Sequence, residues 1–234
     1  DRAPFTDLLA LTALSDGRYE AFIDPIWTIG PKVHGGSLLA VLAAAARRKL
    51  ADGAGVAMQP LAVSADFLAA PDPETIVVTA DVRKTGRQVS MVVVEASQRD
   101  RAVARAAVTL GQLDDEPPLQ QADALVAHPV EPLPDASVYS PDSPQGKLVH
   151  VAQGCHLALD SATGSFLRGE TGEPSFQLWA RPFERDEKDP DTALLFALMV
   201  ADISPPVLFN LGEVGWAPTV QLTAYLRRVP APGW

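Results

Sequence analysis

The run Ser37–Leu50 (SLLAVLAAAARRKL) is the feature that most constrains how this chain can fold. It consists mainly of alanine and leucine, which are the strongest helix formers, and it ends in basic residues that complement a helix dipole. Before that basic end it is apolar on all sides, which predicts a buried helix rather than a surface helix. Its apolar part, Leu38–Ala46, is too short to cross a bilayer, so we expect no membrane insertion.

Strand patterns surround this helix. Tyr19–Ile29 is rich in β-branched and aromatic residues and predicts a strand that is broken near Pro25. Four more strands are predicted after the helix, at Leu61–Leu68, Thr75–Arg83, Gln88–Gln98 and Ala102–Leu110. Short polar turns separate the last three, which predicts antiparallel hairpins. One helix against one antiparallel sheet is an α+β arrangement, not the alternating βαβ of a parallel sheet.

The order strand, apolar helix, strand occurs a second time, after a proline-rich segment. Residues 112–146 show no hydrophobic periodicity and predict an irregular linker. In the second half we predict strands at Cys155–Leu159 and Ser175–Arg181 and a strand at Thr219–Val229. Between them we predict an apolar helix at Thr192–Ala201, with Asp189 as the N-cap candidate and Pro190 at the first helical position. This pattern-level repeat predicts an N-terminal unit of residues 1–111, a linker of residues 112–146 and a C-terminal unit of residues 147–234.

The two predicted halves are unequal in their strands. The first has four strands after its helix and the second has one, which would leave a sheet edge and half of the second helix uncovered. We therefore expect the natural protein to continue for several tens of residues past Trp234. Because the sequence starts at Asp1 without a methionine, we also expect a few residues before it.

Four stretches, in this order and spacing, resemble the double-hotdog acyl-CoA thioesterases, the family of bacterial thioesterase II. They are Val33–Leu39 (VHGGSLL), Leu61–Leu68 followed by Pro71, Thr85–Ser90 (TGRQVS), and Ala201-Asp202 together with Thr219–Arg228 and Trp234. The resemblance implies an α+β double hotdog, in which two long buried helices are each wrapped by one half of a continuous antiparallel sheet. It also implies a thioester hydrolase that acts on fatty acyl-CoA and needs no cofactor.

In that family an Asp, a Thr and a Gln of the second hotdog hold the hydrolytic water. By position, the resemblance assigns Asp202 to the Asp and Thr219 to the Thr. The Gln would lie in a final strand that this sequence does not contain, so no residue is assigned to it. A carboxylate in an apolar site can act as the base because burial raises its pKa. The alternatives are that Asp202 only ends its helix and that Thr219 is an ordinary strand residue.

The segment before the first helix supplies further candidates. Gly35 and Gly36 open the helix, where backbone N–H groups have no partner within the helix, and a thioester carbonyl can approach closely because glycine has no Cβ. We expect one of these amides to form the oxyanion hole. His34, which comes just before them, would either hydrogen-bond the thioester or fix the loop. The alternative is that the glycines make only a tight turn and that the histidine is structural.

The substrate would lie between the two helices. We expect the acyl chain to run in an apolar tunnel lined by residues such as Leu39, Leu195 and Met199. Arg227 and Arg228 could meet CoA phosphates, although solvated surface charge explains them more simply.

Composition limits the other possibilities. A net charge of −10 argues against a nucleic-acid partner, since binding phosphates needs a basic face. With Cys155 as the single cysteine, no intramolecular disulfide can form, which suits a reducing cytoplasm, and we interpret this residue as buried rather than as a nucleophile. His128, His150 and His156 lack the spacing of metal ligands.

Three hypotheses about partners and activity complete the sequence-based account. We expect a homo-oligomer whose substrate is acyl-CoA. The first alternative activity is that of an enoyl-CoA hydratase-type hotdog enzyme, which the lack of an Asp/His pair near Asp202 disfavours. The second is a non-catalytic acyl-CoA-binding or scaffold protein on a hotdog frame.

Overall fold

The structure is a computed structural model that describes residues 2–114, 116–117, 120 and 128–234. Its α-helices are α1 (Pro4–Leu8), α2 (Gly35–Ala54) and α3 (Pro190–Val200). Its strands are β1 (Thr12–Ala13), β2 (Tyr19–Phe22), β3 (Thr28–Ile29), β4 (Lys32–Val33), β5 (Gln59–Phe67), β6 (Thr75–Lys84), β7 (Val89–Gln98), β8 (Arg101–Gly111), β9 (Ser137–Val138), β10 (Cys155–Leu159), β11 (Leu178–Pro182) and β12 (Gln221–Tyr225). Short 3₁₀ turns lie at Pro25–Trp27, His150–Gln153, Ser165–Arg168, Asp186–Lys188 and Val207–Leu211.

The main sheet has seven antiparallel strands in the order β1-β2-β6-β7-β8-β5-β12. Side chains alternate along β7, where Val92, Val94 and Ala96 are buried and Met91 and Val93 are exposed. Successive side chains of a strand point to opposite faces of the sheet, so these buried residues share one face. That face packs against α2. The α+β prediction is therefore confirmed, and the four predicted strands after α2 are present with ends shifted by only one or two residues.

The second half contributes to two sheets. Strand β12 pairs with β5 of the first half, so the large sheet continues from one half into the other. The remaining paired strands described in this half form a separate three-stranded sheet in the order β11-β10-β9. Strand β9 lies within the predicted linker, of which residues 115, 118–119 and 121–127 fall outside the described part of the chain.

Helix α2 is longer than predicted at both ends. It starts at Gly35 and continues to Ala54, where Gly55 takes a left-handed conformation (φ +65°) and its amide bonds the Ala51 carbonyl at 2.9 Å. Such a glycine ends a helix without the strain that a Cβ would cause. Its central residues, from Leu38 to Ala46, are buried.

Helices α2 and α3 pack against each other in opposite directions. The N-terminal Gly36 of α2 lies against the Met199 carbonyl at the end of α3. Near the other end of the pair, Arg47 of α2 forms an ion pair with Asp191 in the first turn of α3. The start of each helix therefore meets the end of the other, which creates two similar junctions.

The predicted helix start in the second half is confirmed, but the bounds of two predicted strands were wrong. Helix α3 starts at Pro190, as the Asp189-Pro190 pattern predicts, because the Asp189 carboxylate accepts hydrogen bonds from the amides of Asp191 and Thr192. Strand β11 starts at Leu178 rather than Ser175. Strand β12 covers only Gln221–Tyr225, which places Thr219 in the segment before the strand.

None of the helices in the described part of the chain combines the length and the apolar character that a membrane crossing requires.

Candidate active site

Asp202 lies just past the end of α3, at the junction with the start of α2. Its side chain is only 14 % exposed. The Thr219 hydroxyl donates a hydrogen bond to its Oδ1 at 2.6 Å. The other carboxylate oxygen, Oδ2, faces Gly35, because an ideal Cβ on that glycine would lie 2.5 Å from it. One oxygen is therefore held by the hydroxyl while the second is directed at the start of α2.

His34 joins the two helices at this junction. It is 2 % exposed and is the N-cap residue of α2, where its Nδ1 accepts a hydrogen bond from the Ser37 amide at 3.2 Å. Because Nδ1 accepts, the proton is on Nε2, which donates to the backbone carbonyl of Asp202 at 2.9 Å. Both ring nitrogens are engaged within the protein, so this geometry fits the loop-fixing alternative better than contact with a thioester.

The charge state of His34 follows from its surroundings. Burial lowers the pKa of His34 from its ordinary value of 6.5, and the nearby Asp202 carboxylate opposes this shift only in part. The neutral ring keeps the tautomer that both hydrogen bonds need. The Nε2–Oδ2 distance of 3.8 Å is longer than a hydrogen bond, so Asp202 keeps an oxygen available to another donor.

Gly35 and Gly36 are the first two residues of α2, and their amides have no acceptor outside the helix among the described residues. The first N–H groups of a helix have no partner within it, so these two donors are left without an acceptor in this part of the structure. The absence of a Cβ matters at both positions. At Gly35 a Cβ would meet the Asp202 carboxylate, and at Gly36 it would collide with the Met199 carbonyl.

The pairing of β12 with β5 positions Thr219 beside Asp202. The Phe67 amide donates to the Val220 carbonyl at 2.8 Å, and Asp66 lies opposite Gln221 in the register. The Gln221 amide group also donates to an Asp66 carboxylate oxygen at 2.9 Å. The first half of the chain thus fixes the backbone beside Thr219, although the hydroxyl itself belongs to the second half.

Sequence reasoning missed two residues of this site. Ser37 is fully buried, and its hydroxyl lies 3.1 Å from the Nδ1 atom of His34. The sequence does hold a signal for Ser37, which lies three residues after the cap His34. The amide at that position of a helix points back to the cap. Phe67 places two ring atoms 3.4 Å from the Cβ position of Gly35. No signal in the sequence marks this contact, because it joins elements that are far apart in the chain.

The three predicted tunnel residues are buried in the core. Leu39, Leu195 and Met199 are between 0 and 3 % exposed. Two surface cavities, of about 750 Å³ between residues 2–8 and 185–192 and of about 220 Å³ beneath the C-terminal residues 230–234, do not include them. Their contact with an acyl chain stays a prediction.

The remaining candidates lie away from Asp202. His150 contacts the Thr28 hydroxyl at 2.7 Å, and His128 stacks on Trp179. Cys155 is buried, and this burial raises the pKa of its thiol. The Arg227 guanidinium lies over the Tyr225 ring. In the described part of the chain, no group of three or more His, Cys, Asp and Glu side chains could hold a metal ion.

Two family models match the chain and together cover most of it. Residues 23–111 match the acyl-CoA thioesterase N-terminal domain, and residues 129–234 match the acyl-CoA thioesterase C-terminal domain. The chain belongs to the acyl-CoA thioesterase family. This membership confirms the family suggested by the sequence resemblance.

Several relatives and solved structures are similar to this chain. Uncharacterized proteins of Mycobacterium tuberculosis and Mycobacterium bovis are 40 % identical over 99 % of this chain and 85 % of their own length. The structure of a candidate thioesterase II from Thermobifida fusca is similar with a TM-score of 0.82 at 25 % identity, over 99 % of this chain and 85 % of that one. A hotdog-fold protein of Alicyclobacillus acidocaldarius gives a TM-score of 0.72 at 21 % identity, over 99 % of this chain and 80 % of that one. The double-hotdog prediction is confirmed.

Proposed function

We propose that this protein is an acyl-CoA thioesterase that hydrolyses fatty acyl-CoA to the free acid and CoA. The observation that carries the proposal is the position of Asp202. One of its carboxylate oxygens is held by Thr219, and the other is directed at Gly35, where the start of α2 has open amides. A base, a hydroxyl that orients it and oxyanion donors are the groups that thioester hydrolysis needs.

The reaction would follow from this arrangement in two steps. A water molecule bound to Oδ2 of Asp202 attacks the thioester carbon while the carboxylate takes its proton. The carbonyl oxygen becomes an oxyanion, which the amide of Gly35 or Gly36 stabilises at the positive end of the helix dipole. The tetrahedral intermediate then expels the CoA thiolate, which takes the proton back from Asp202.

Each side chain has a separate part in this mechanism. Thr219 orients the carboxylate, because its hydroxyl occupies one oxygen and leaves the other for water. His34 is a positioning residue, since it holds the backbone of Asp202 against the start of α2. The glutamine that the family resemblance implies is not assigned to a residue.

We extend the proposal to the position of the acyl chain, the roles of the two units and the location of the enzyme. The acyl chain enters between the helices and contacts Leu39, Leu195 and Met199 after the side chains adjust. The N-terminal unit of residues 1–111 supplies the oxyanion donors, and the C-terminal unit of residues 147–234 supplies the base. We place the enzyme in the cytoplasm as a homo-oligomer.

A panel of acyl-CoA substrates tests the function. Purified protein is mixed with acyl-CoAs from acetyl to palmitoyl, and release of free CoA thiol is recorded. We expect turnover with at least one member of the panel. Tight binding without thiol release would contradict the proposal and favour a binding protein, and hydration of crotonyl-CoA without thiol release would favour a hydratase.

A further inference from the structure

Phe67 borders the space in front of Asp202. It is the last residue of β5, and two atoms of its ring lie 3.4 Å from the Cβ position of Gly35. The Oδ2 atom of Asp202 lies 2.5 Å from the same position. The aromatic edge and the carboxylate therefore converge on one glycine, which is also a candidate oxyanion donor.

Strand pairing fixes the backbone that carries the ring. The Phe67 amide donates to the Val220 carbonyl at 2.8 Å, next to Thr219. The hydrogen bond that fixes the backbone of Phe67 thus also fixes the segment that carries the Thr219 hydroxyl. Phe67 is half-buried and packs against the apolar core. Strand pairing thus fixes the backbone that carries the ring, and packing against the core holds the ring itself.

We propose that Phe67 determines substrate specificity by limiting bulk next to the reacting thioester carbon, on the acyl side. This inference rests on the proposed thioesterase function. The acyl side follows from polarity, because the acyl chain is the apolar part of the ligand and the ring packs against the apolar core, whereas the polar pantetheine arm requires access to solvent. A straight acyl chain passes the ring edge, but a methyl branch on the α-carbon meets it.

The size of the effect follows from the cost of one misplaced methyl group. One methylene in an apolar pocket changes the specificity constant by about tenfold or more. We therefore expect the wild type to prefer butyryl-CoA over 2-methylpropanoyl-CoA by at least about tenfold in kcat/KM. Phe67→Ala removes the ring and is expected to reduce this preference to about threefold or less.

The experiment compares the two substrates in four proteins. They are the wild type, Phe67→Ala, Phe67→Leu and the control Phe22→Ala, which removes a phenylalanine that is 58 % exposed on another strand. We expect the preference to fall in Phe67→Ala, to fall less in Phe67→Leu and to stay unchanged in the control. Because leucine keeps an apolar side chain in the same place, Phe67→Leu provides the readout if the alanine variant does not fold.

Two results would overturn the inference in distinguishable ways. An unchanged preference in a folded Phe67 variant that still hydrolyses butyryl-CoA would remove the specificity role and leave the thioesterase function standing. Failure of the wild type to release CoA from any acyl-CoA would remove the proposed function, and the role of Phe67 would fall with it.

Discussion

The two junctions of the antiparallel helix pair are similar in backbone arrangement but differ in how each helix start is capped. At the start of α2 the cap is the uncharged ring of His34, and the amides of Gly35 and Gly36 have no acceptor among the described residues. At the start of α3 the Asp189 carboxylate accepts the amide hydrogen bonds. Only the first junction therefore combines open donors with a carboxylate, Asp202, across from them.

The charges at the two junctions make the start of α2 the better candidate for stabilising a developing anion. At the α3 start the Arg47–Asp191 ion pair joins the two helices beside a cap that is already negative. An anion that develops there would face a carboxylate. At the α2 start the cap is uncharged, and in the proposed reaction Asp202 becomes neutral when it takes the proton from water. The helix dipole and the amides of Gly35 and Gly36 can then act on a developing oxyanion.

The largest effect is expected from Gly35→Ala. The new Cβ would lie 2.5 Å from the Oδ2 atom of Asp202 and would push the carboxylate out of place. Because a displacement of about 1 Å can cost about 100-fold in rate, we expect a loss of this size in kcat. The matched control is Gly53→Ala in the same helix, where a Cβ meets no atom within 4 Å. Equal activity in both variants would break the comparison between the junctions.

A smaller loss is expected from Thr219→Val. The variant keeps the shape of the side chain but removes the hydrogen bond to Oδ1 of Asp202. A hydrogen bond to a charged group is worth about 1.5–3 kcal/mol, so kcat should fall about tenfold or more, whereas Thr219→Ser should restore most of it. Steady-state kinetics on one acyl-CoA measure kcat of both variants. An unchanged kcat in Thr219→Val would exclude an orienting role for the Thr219 hydroxyl.

The two caps also predict different responses to pH. Since the pKa of His34 in the folded protein lies below its unfolded value of 6.5, the unfolded chain binds the proton first and stability falls as the pH drops below about 6.5. For Asp189, burial raises the pKa, but the hydrogen bonds from Thr192 and the backbone outweigh this effect and lower it below 3.8, so its contribution is lost only in more acidic solution.

Denaturant unfolding between pH 7.5 and 5.5 tests this difference. One titrating group changes the free energy of unfolding by at most about 1.4 kcal/mol per pH unit. His34→Asn should reduce the slope, and Asp189→Asn should leave it unchanged. His156, whose pKa is also lowered by burial and by Arg181, adds a slope in the same direction that both variants retain. An identical slope in wild type and His34→Asn would contradict a neutral, buried His34.

The smallest effect is expected from Asp189→Ala. Loss of the N-cap should lower the free energy of unfolding by about 1 kcal/mol, because the amides of Asp191 and Thr192 lose their acceptor. Activity should stay close to that of the wild type, since this junction lies at the opposite end of α3 from Asp202. Urea unfolding measures the stability, and a kinetic assay on the same preparation measures the activity. A large loss of activity in a folded variant would contradict the assignment of the active site to the start of α2.

The local elements were predictable from the sequence, but the contacts of the site were not. The Ala- and Leu-rich run before Gly55 predicts α2, and Asp189-Pro190 marks the start of α3, because caps and helix propensity act over a few residues. The start of β12 was predicted two residues too early, since this strand is defined by its pairing with β5 rather than by its own pattern. Thr219 consequently lies outside the strand.

The contacts of the candidate site were less predictable from the sequence than the helices and strands were. Asp202 and Thr219 were selected through family resemblance and the two glycines through their place at a helix start, and the residues alone left structural alternatives open for each. The distances between them arise from the packing of α2 against α3. Phe67 was missed because its contact with Gly35 depends on where β5 ends relative to another element. Tertiary packing of this kind leaves no local periodic signal in the sequence.

The central claim is that Asp202, at the start of α2, is the base that activates the hydrolytic water. Its most direct test is kcat/KM of Asp202→Asn beside Asp191→Asn, which makes the same change at the opposite junction, with both variants shown to be folded by circular dichroism. The account predicts a loss of at least about 100-fold for Asp202→Asn and near-wild-type activity for Asp191→Asn. Near-wild-type turnover by Asp202→Asn would contradict it.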